Sequence, residues 1–169
     1  DEKNPTYASD DGVLLDKTKQ TLHRFPPVKG GAYKLPESVT QIADYAFYRC
    51  PKLTSVDLPD GLTSIGHYAF RDCAALSSAS IPEKVTTLGS FAFAGCAKLN
   101  SAQIPAGVTS VGSFSFHGCK SLKIVILNER VTDIGQSAFE GCADLTGITL
   151  PAKLTSIGSN AFRGCVRLT

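Results

Sequence analysis

The sequence predicts a solenoid: six stacked coils of 23 residues, with a parallel β-sheet on one face and short helical turns on the other. Three observations predict it. The cysteines fall at Cys50, Cys73, Cys96, Cys119, Cys142 and Cys165, so every gap is 23 residues, whereas disulfide frameworks have irregular gaps. A phenylalanine stands three residues before each cysteine (Phe47, Phe70, Phe93, Phe116, Phe139, Phe162). A leucine stands three residues after each (Leu53, Leu76, Leu99, Leu122, Leu145, Leu168).

Two apolar columns follow the leucine, Val56, Ala79, Ala102, Val125, Ile148 and Leu58, Ile81, Ile104, Leu127, Leu150. Their alternation with polar residues is strand periodicity with one buried face. Pro59, Pro82, Pro105 and Pro151 close the segment because proline cannot donate to a ladder; Asn128 is the exception. Val39, Leu62, Val85, Val108, Val131, Leu154 and then Ile42, Ile65, Leu88, Val111, Ile134, Ile157 add two more apolar columns. Gly66, Gly89, Gly112, Gly135 and Gly158 begin a turn, with Ala43 in the first copy. The A-F-x-x-C stretch is expected to form a short helical turn that drops its phenylalanine into the core. The unit reads L-x-x-V-x-L-P-x-x-V-T-x-I-G-x-x-A-F-x-x-C, a period and core that define a leucine-rich-repeat solenoid, a β-rich α+β repeat. Each unit buries its columns only by stacking on neighbours.

The beginning of the chain departs from the period. Residues 13–15 and 21–25 are strand candidates around a turn at 16–19, so residues 1–31 read as an N-terminal β-hairpin insertion and residues 32–169 as one continuous array. The last residues, Leu168 and Thr169, fall where another strand begins, and no polar cap or initiator Met is present; a segment of a longer protein is expected.

The run N-P-T-Y-A-S-D-D-G-V-L-L-D-K-T-K-Q-T-L-H-R-F-P at 4–26, and units such as L-T-S-I-G-H-Y-A-F-R-D-C at 62–73, closely resemble the BspA-like leucine-rich-repeat family over essentially the whole chain. The resemblance implies surface-exposed or secreted proteins of bacteria and some protozoa, implicated in adhesion to host matrix proteins or other microbes. Departures at Ala43, Ser115 and Asn128 touch packing and no catalytic residue, because the family pattern contains none.

Composition excludes several other classes. The formal charge is +2, no run of five like charges occurs, and no apolar stretch approaches a membrane span, so neither nucleic acid nor membrane insertion is indicated. A straight ladder of cysteines neither converges as a disulfide requires nor gathers four ligands around zinc, so reduced, buried thiols and no metal are expected. His23, His67 and His117 occupy different repeat positions and read as surface residues. Nucleophile-elbow, phosphate-loop and dinucleotide motifs do not occur. No catalytic residue and no cofactor is therefore assigned.

Three surfaces could carry recognition. The threonine column (Thr40, Thr63, Thr86, Thr109, Thr132, Thr155) lacks the second file that ice binding needs, and local backbone bonding explains it. The aromatic file Tyr45, Tyr68, Phe91, Phe114 reads either as packing between turns or as a platform for sugar rings. The outward strand positions Ser55, Asp57, Ser78, Ser80, Ser101, Gln103, Ile124, Ile126 and Thr149 form the default partner face. On it, Ile124 and Ile126 are apolar among polar residues, either as a contact or as drift at a tolerant position. The reading is an extracellular or cell-surface adhesion scaffold that binds a host matrix or microbial surface protein, with glycan binding and weak homo-association open. Its alternatives are a structural spacer holding another domain away from the envelope, or a glycan-binding accessory module.

Overall fold

The computed structural model describes residues 3–169. Three antiparallel strands open the chain: β1 (Tyr7–Asp10), β2 (Val13–Asp16) and β3 (Thr21–Arg24). The β2–β3 hairpin stands where the sequence places it, while β1 is an addition. Its turn is Asp11-Gly12, both at positive φ (46° and 76°), the combination that favours a tight hairpin. Phe25 then enters the phenylalanine column, its ring 5.1 Å from Phe47. Its N–H donates to the Ala46 carbonyl (2.7 Å), as the N–H of Phe47 does to Ala69 (2.7 Å). The end of the hairpin thus supplies the first layer of the stack.

Strands of two to five residues follow, one or two per turn of the coil. They are β4 (Gly31–Lys34), β5 (Gln41–Ile42), β6 (Leu53–Asp57) and β7 (Ser64–Ile65). Next come β8 (Ser78–Ala79), β9 (Thr87–Leu88), β10 (Ser101–Gln103) and β11 (Ser110–Val111). The last are β12 (Ile124–Ile126), β13 (Asp133–Ile134), β14 (Gly147–Ile148) and β15 (Ser156–Ile157). Even-numbered strands pair in parallel as β4-β6-β8 and β10-β12-β14, which is the sheet expected from L-x-x-V-x-L. Odd-numbered strands make a second parallel ladder from V-T-x-I: β5-β7-β9, continuous with β3, and then β11-β13-β15. In register, Ile42 lies beside Ile65 and Ile65 beside Leu88, so equivalent residues stack 23 apart.

The expected helical turns are absent among the described residues. The A-F-x-x-C segment is a chain of i→i+3 turns, such as Tyr48 N to Tyr45 O (3.0 Å) and Cys73 N to Phe70 O (3.2 Å). Two left-handed residues interrupt it, Tyr45 just before it and Arg49 within it in the first coil (φ 60° and 53°), and such residues cannot continue an α-helix. The amides of Tyr45, Phe47 and Arg49 instead donate to the carbonyls of His67, Ala69 and Arg71 in the next coil, at 2.7–2.9 Å. This third line of inter-coil bonds takes the place of intra-helical ones.

Corners are set by P-x-x-V turns, as from Leu62 N to Pro59 O (2.9 Å) and Val85 N to Pro82 O (3.0 Å). Asn128 fills the proline position differently. Its Nδ2 donates to the carbonyls of Pro105 (2.7 Å) and Val108 (2.8 Å), and its Oδ1 accepts the Arg130 N–H (2.7 Å). Down the axis the phenylalanine rings stack at 4.7–5.6 Å, flanked by buried Val, Ile, Leu and Ala columns. Phe93, 1% exposed, lies between Phe70 and Phe116, while Ser101 is exposed on the strand face. Phe93→Ala is expected to cost about 3–5 kcal/mol in denaturant unfolding, and Ser101→Ala no more than about 0.5. Equal losses would mean that inner and outer columns are exchanged.

Candidate functional site

The even-numbered strands present the candidate partner face. Ser55 pairs with Ser78, Ser101 with Ile124, Gln103 with Ile126, and Ile124 with Gly147. Asp57 closes β6, and Ser80 and Thr149 lie just beyond β8 and β14. All these side chains are exposed except half-buried Ser55. Ile124 and Ile126 are 55% and 54% exposed, while Val125 between them is 4% exposed, which is the alternation expected of a half-buried strand. A shallow depression of about 420 Å³ lies beside them, lined also by Leu127, Ile148 and Thr149. Gly147 shapes it: a side chain there would meet no atom within 4 Å, so the glycine leaves a notch next to Ile124.

The aromatic file forms a continuous stack, with centroids 4.7, 4.7 and 4.4 Å apart and rings within 10° of parallel. All four residues hold φ near 60°, costly for bulky side chains, and the column continues with Ser137 and Asn160 in the same conformation. Mutual stacking offsets that strain. It also covers both faces of Tyr68 and Phe91, leaving edges toward solvent, which accords with packing between coils; a sugar ring stacks on a face. Beside the file lies a polar cluster not anticipated from the sequence. The Arg71 guanidinium sits 5.5 and 5.4 Å from the Tyr68 and Phe91 ring centres, and Asp72 approaches both Arg71 (3.6 Å) and Arg49 (3.7 Å). The signal was available: Arg49 and Asp72 break a column that is otherwise Gly95, Gly118, Gly141 and Gly164.

The threonine hydroxyls are spent on the scaffold. Those of Thr63, Thr86, Thr132 and Thr155 each donate to the threonine carbonyl one coil back, at 3.0–3.4 Å. His67 and His117 are exposed, and His67 Nδ1 accepts the Ser90 N–H (3.0 Å). All six cysteines are free thiols, five of them buried and Cys165 partly so. They do more than fill slots. Cys73, Cys96, Cys119, Cys142 and Cys165 each donate to a phenylalanine carbonyl of the preceding coil, at 3.0–3.2 Å. Burial pushes the Cys142 thiol up to about 12, and raises the Cys96 and Cys119 thiols as well. No group of three or more His, Cys, Asp or Glu among the described residues is placed to hold a metal.

Parallel ladders, a stacked phenylalanine spine and a thiol column in strict 23-residue register define a leucine-rich-repeat solenoid. The chain belongs to the BspA type leucine rich repeat family, whose pattern matches residues 33–169 in six copies. Among solved structures it is similar to a leucine-rich repeat protein of Eubacterium ventriosum, with TM-score 0.80 and 28% identity over 97% of this chain and 51% of that one. A leucine rich cell surface protein of Faecalibacterium prausnitzii matches with TM-score 0.69 and 30% identity over 100% and 55% of the two chains. The leucine rich repeat protein of T. pallidum matches with TM-score 0.78 and 28% identity over 96% and 87%. The chain thus spans about half the length of the first two. No curated protein matches the sequence. Leucine-rich-repeat solenoids generally mediate protein interactions and are generally non-enzymatic, and the Faecalibacterium prausnitzii neighbour is a bacterial cell surface protein. No helix among the described residues is long and apolar enough to cross a membrane.

Two outcomes follow from the thiol column. In the native protein a thiol reagent reaches Cys165 first and the other five only on unfolding; rapid native labelling of several would contradict the ladder. The native thiols of Cys96, Cys119, Cys142 and Cys165 also hold their protons more tightly than unfolded ones, because burial disfavours the thiolate. The unfolded chain therefore ionises first as pH rises, and the thiol contribution is complete below about 8.5 and declines above it. For Cys142 the decline runs to about 12, so the stability advantage of the native chain over Cys142→Ala shrinks across that range in denaturant titrations. An advantage independent of pH would mean that the thiol is not shielded.

Proposed function

We propose that this chain is a cell-surface adhesion scaffold that binds a protein partner, of the host matrix or of another microbe, through the face of its even-numbered strands. The observation that carries this reading is the pair Ile124 and Ile126, more than half exposed beside an open depression on a face otherwise built of small, polar side chains. Apolar side chains kept in water where neighbouring coils carry Ser101, Gln103 and Gly147 gain nothing for the fold and gain area in a complex. Their surroundings fit a broad contact: serines, a glutamine and a threonine lose little rotamer entropy on being covered, apart from the glutamine.

The test is direct binding of this fragment to immobilised matrix and microbial surface proteins, compared with the double variant Ile124→Ser, Ile126→Ser. Both substitutions lie outside the core, so unfolding stability is expected to change by no more than about 0.5 kcal/mol for each. Binding is expected to weaken by at least about tenfold, the effect of losing roughly 1.4 kcal/mol of contact. Unchanged binding by the double variant would remove the strand face from the reading, and a fragment that binds nothing in the panel would favour the spacer role.

A further inference from the structure

The six coils are not evenly joined. Both parallel ladders stop between the third and fourth coils, with β8 and β9 on one side and β10 and β11 on the other. At every other junction after the hairpin the first threonine amide of V-T-x-I donates one coil back: Thr63 to Thr40, Thr86 to Thr63, Thr132 to Thr109 and Thr155 to Thr132, at 2.8–2.9 Å. The glycine amide does the same, from Gly66, Gly89, Gly135 and Gly158, at 2.8–2.9 Å. Among the described residues neither Thr109 nor Gly112 makes its equivalent bond, and the Thr109 hydroxyl also lacks the one its column makes.

The opposite side of the same junction is closed. Phe91, Phe93 and Gly95 donate to Ser113, Ser115 and His117 at 2.7–3.0 Å, and the Phe91–Phe114 spacing of 4.4 Å is the shortest in its file. The core spine changes pitch here, from 4.7–5.1 Å between phenylalanines before the junction to 5.5–5.6 Å at and after it. The junction is tight at the turns and close at the corner, where a β-carbon on Gly107 would lie 2.8 Å from the Val85 carbonyl, and it is loosened at the strands, where the Asn100 N–H reaches the Ser77 carbonyl at 3.4 Å.

One residue explains its position. Where Ala46, Ala69, Ala92, Ala138 and Ala161 stand in the other coils, Ser115 is fully buried at 0% exposure. Its hydroxyl donates to the Gly112 carbonyl (2.7 Å) and also lies 3.4 Å from the Gly89 carbonyl. The extra oxygen occupies the corner that the glycine column otherwise fills. A β-carbon built on Gly89 or Gly135 lies 2.5–2.6 Å from the preceding coil's backbone, whereas on Gly112 it lies 3.1 Å from Ser115 Oγ and 3.3 Å from that backbone.

We propose that the junction between the third and fourth coils is a bending seam, its two strand ladders loosened by Ser115, about which the two halves of the solenoid flex on the turn side. Flexing there changes the separation of Ser78 and Ser80 from Ser101 and Gln103, and so the curvature of the strand face. The seam does not depend on which partner that face takes.

Residue-resolved hydrogen exchange tests it. The amides of Thr109 and Gly112 are expected to exchange at least about tenfold faster than those of Thr86, Gly89, Thr132 and Gly135. Ser115→Ala, which restores the column's own residue, brings the two rates toward the others. Spin labels on Lys34→Cys and Lys153→Cys in a chain carrying Cys165→Ala, at opposite ends of the stack, are expected to show a broad distance distribution that narrows when Ser115→Ala is added. Uniform exchange across these three junctions would overturn the seam, and an unchanged pattern in Ser115→Ala would overturn the role given to that hydroxyl.

Discussion

Everything in this molecule depends on the bonds between coils, and those bonds depend on each coil having the same length. A coil contains no helix and no sheet of its own; it is a string of i→i+3 turns joined by strands of two to five residues. Such a string is unstable alone, since its short strands find partners only in the coils before and after it. The strict 23-residue period places every donor over its acceptor and every apolar side chain over its own kind. One residue added to one coil would shift all three lines of bonds at once, and would turn buried columns outward on the strands.

The same constraint separates what must be kept from what can vary. Positions facing the axis hold phenylalanine, leucine, valine, isoleucine and cysteine because each fills a slot whose shape its neighbours repeat. Threonine at the corner serves through its hydroxyl, which reaches the preceding coil. Outward positions carry no such duty, and there the chain places serine, aspartate, glutamine or isoleucine without altering the frame. Asn128 shows that even a corner can be rebuilt when a side chain supplies equivalent restraint, here by donating to two carbonyls of the preceding coil.

Strict periodicity is what made most of this legible. The apolar columns, the strand register around Val125 and the free thiols all follow from equivalent residues lying one coil apart, and the structure places them so. The second ladder was less visible, because two residues of V-T-x-I are too short to show alternation. The helical turn failed for a different reason. A-F-x-x-C has helical spacing, but Tyr45 and Tyr68 adopt left-handed backbone that bulky residues normally avoid, and only the neighbouring ring and carbonyl explain it. Strand β1 carried its Asp11-Gly12 signal openly, yet its residues pair only with the hairpin. The polar cluster at Arg71 and Asp72 arises where two columns meet in space, and its sign in the sequence is the break that Arg49 and Asp72 make in the glycine column.

The inter-coil bonds also have a sense of direction. On the turn side each coil gives its N–H groups to the following coil, while the thiols and the corner threonines give theirs to the preceding one. The two ends of the stack are therefore chemically unlike, as the ends of a magnet are. A twofold-related copy meeting end to end would set donor against donor on the turn side. The stack extends by adding coils in the same orientation.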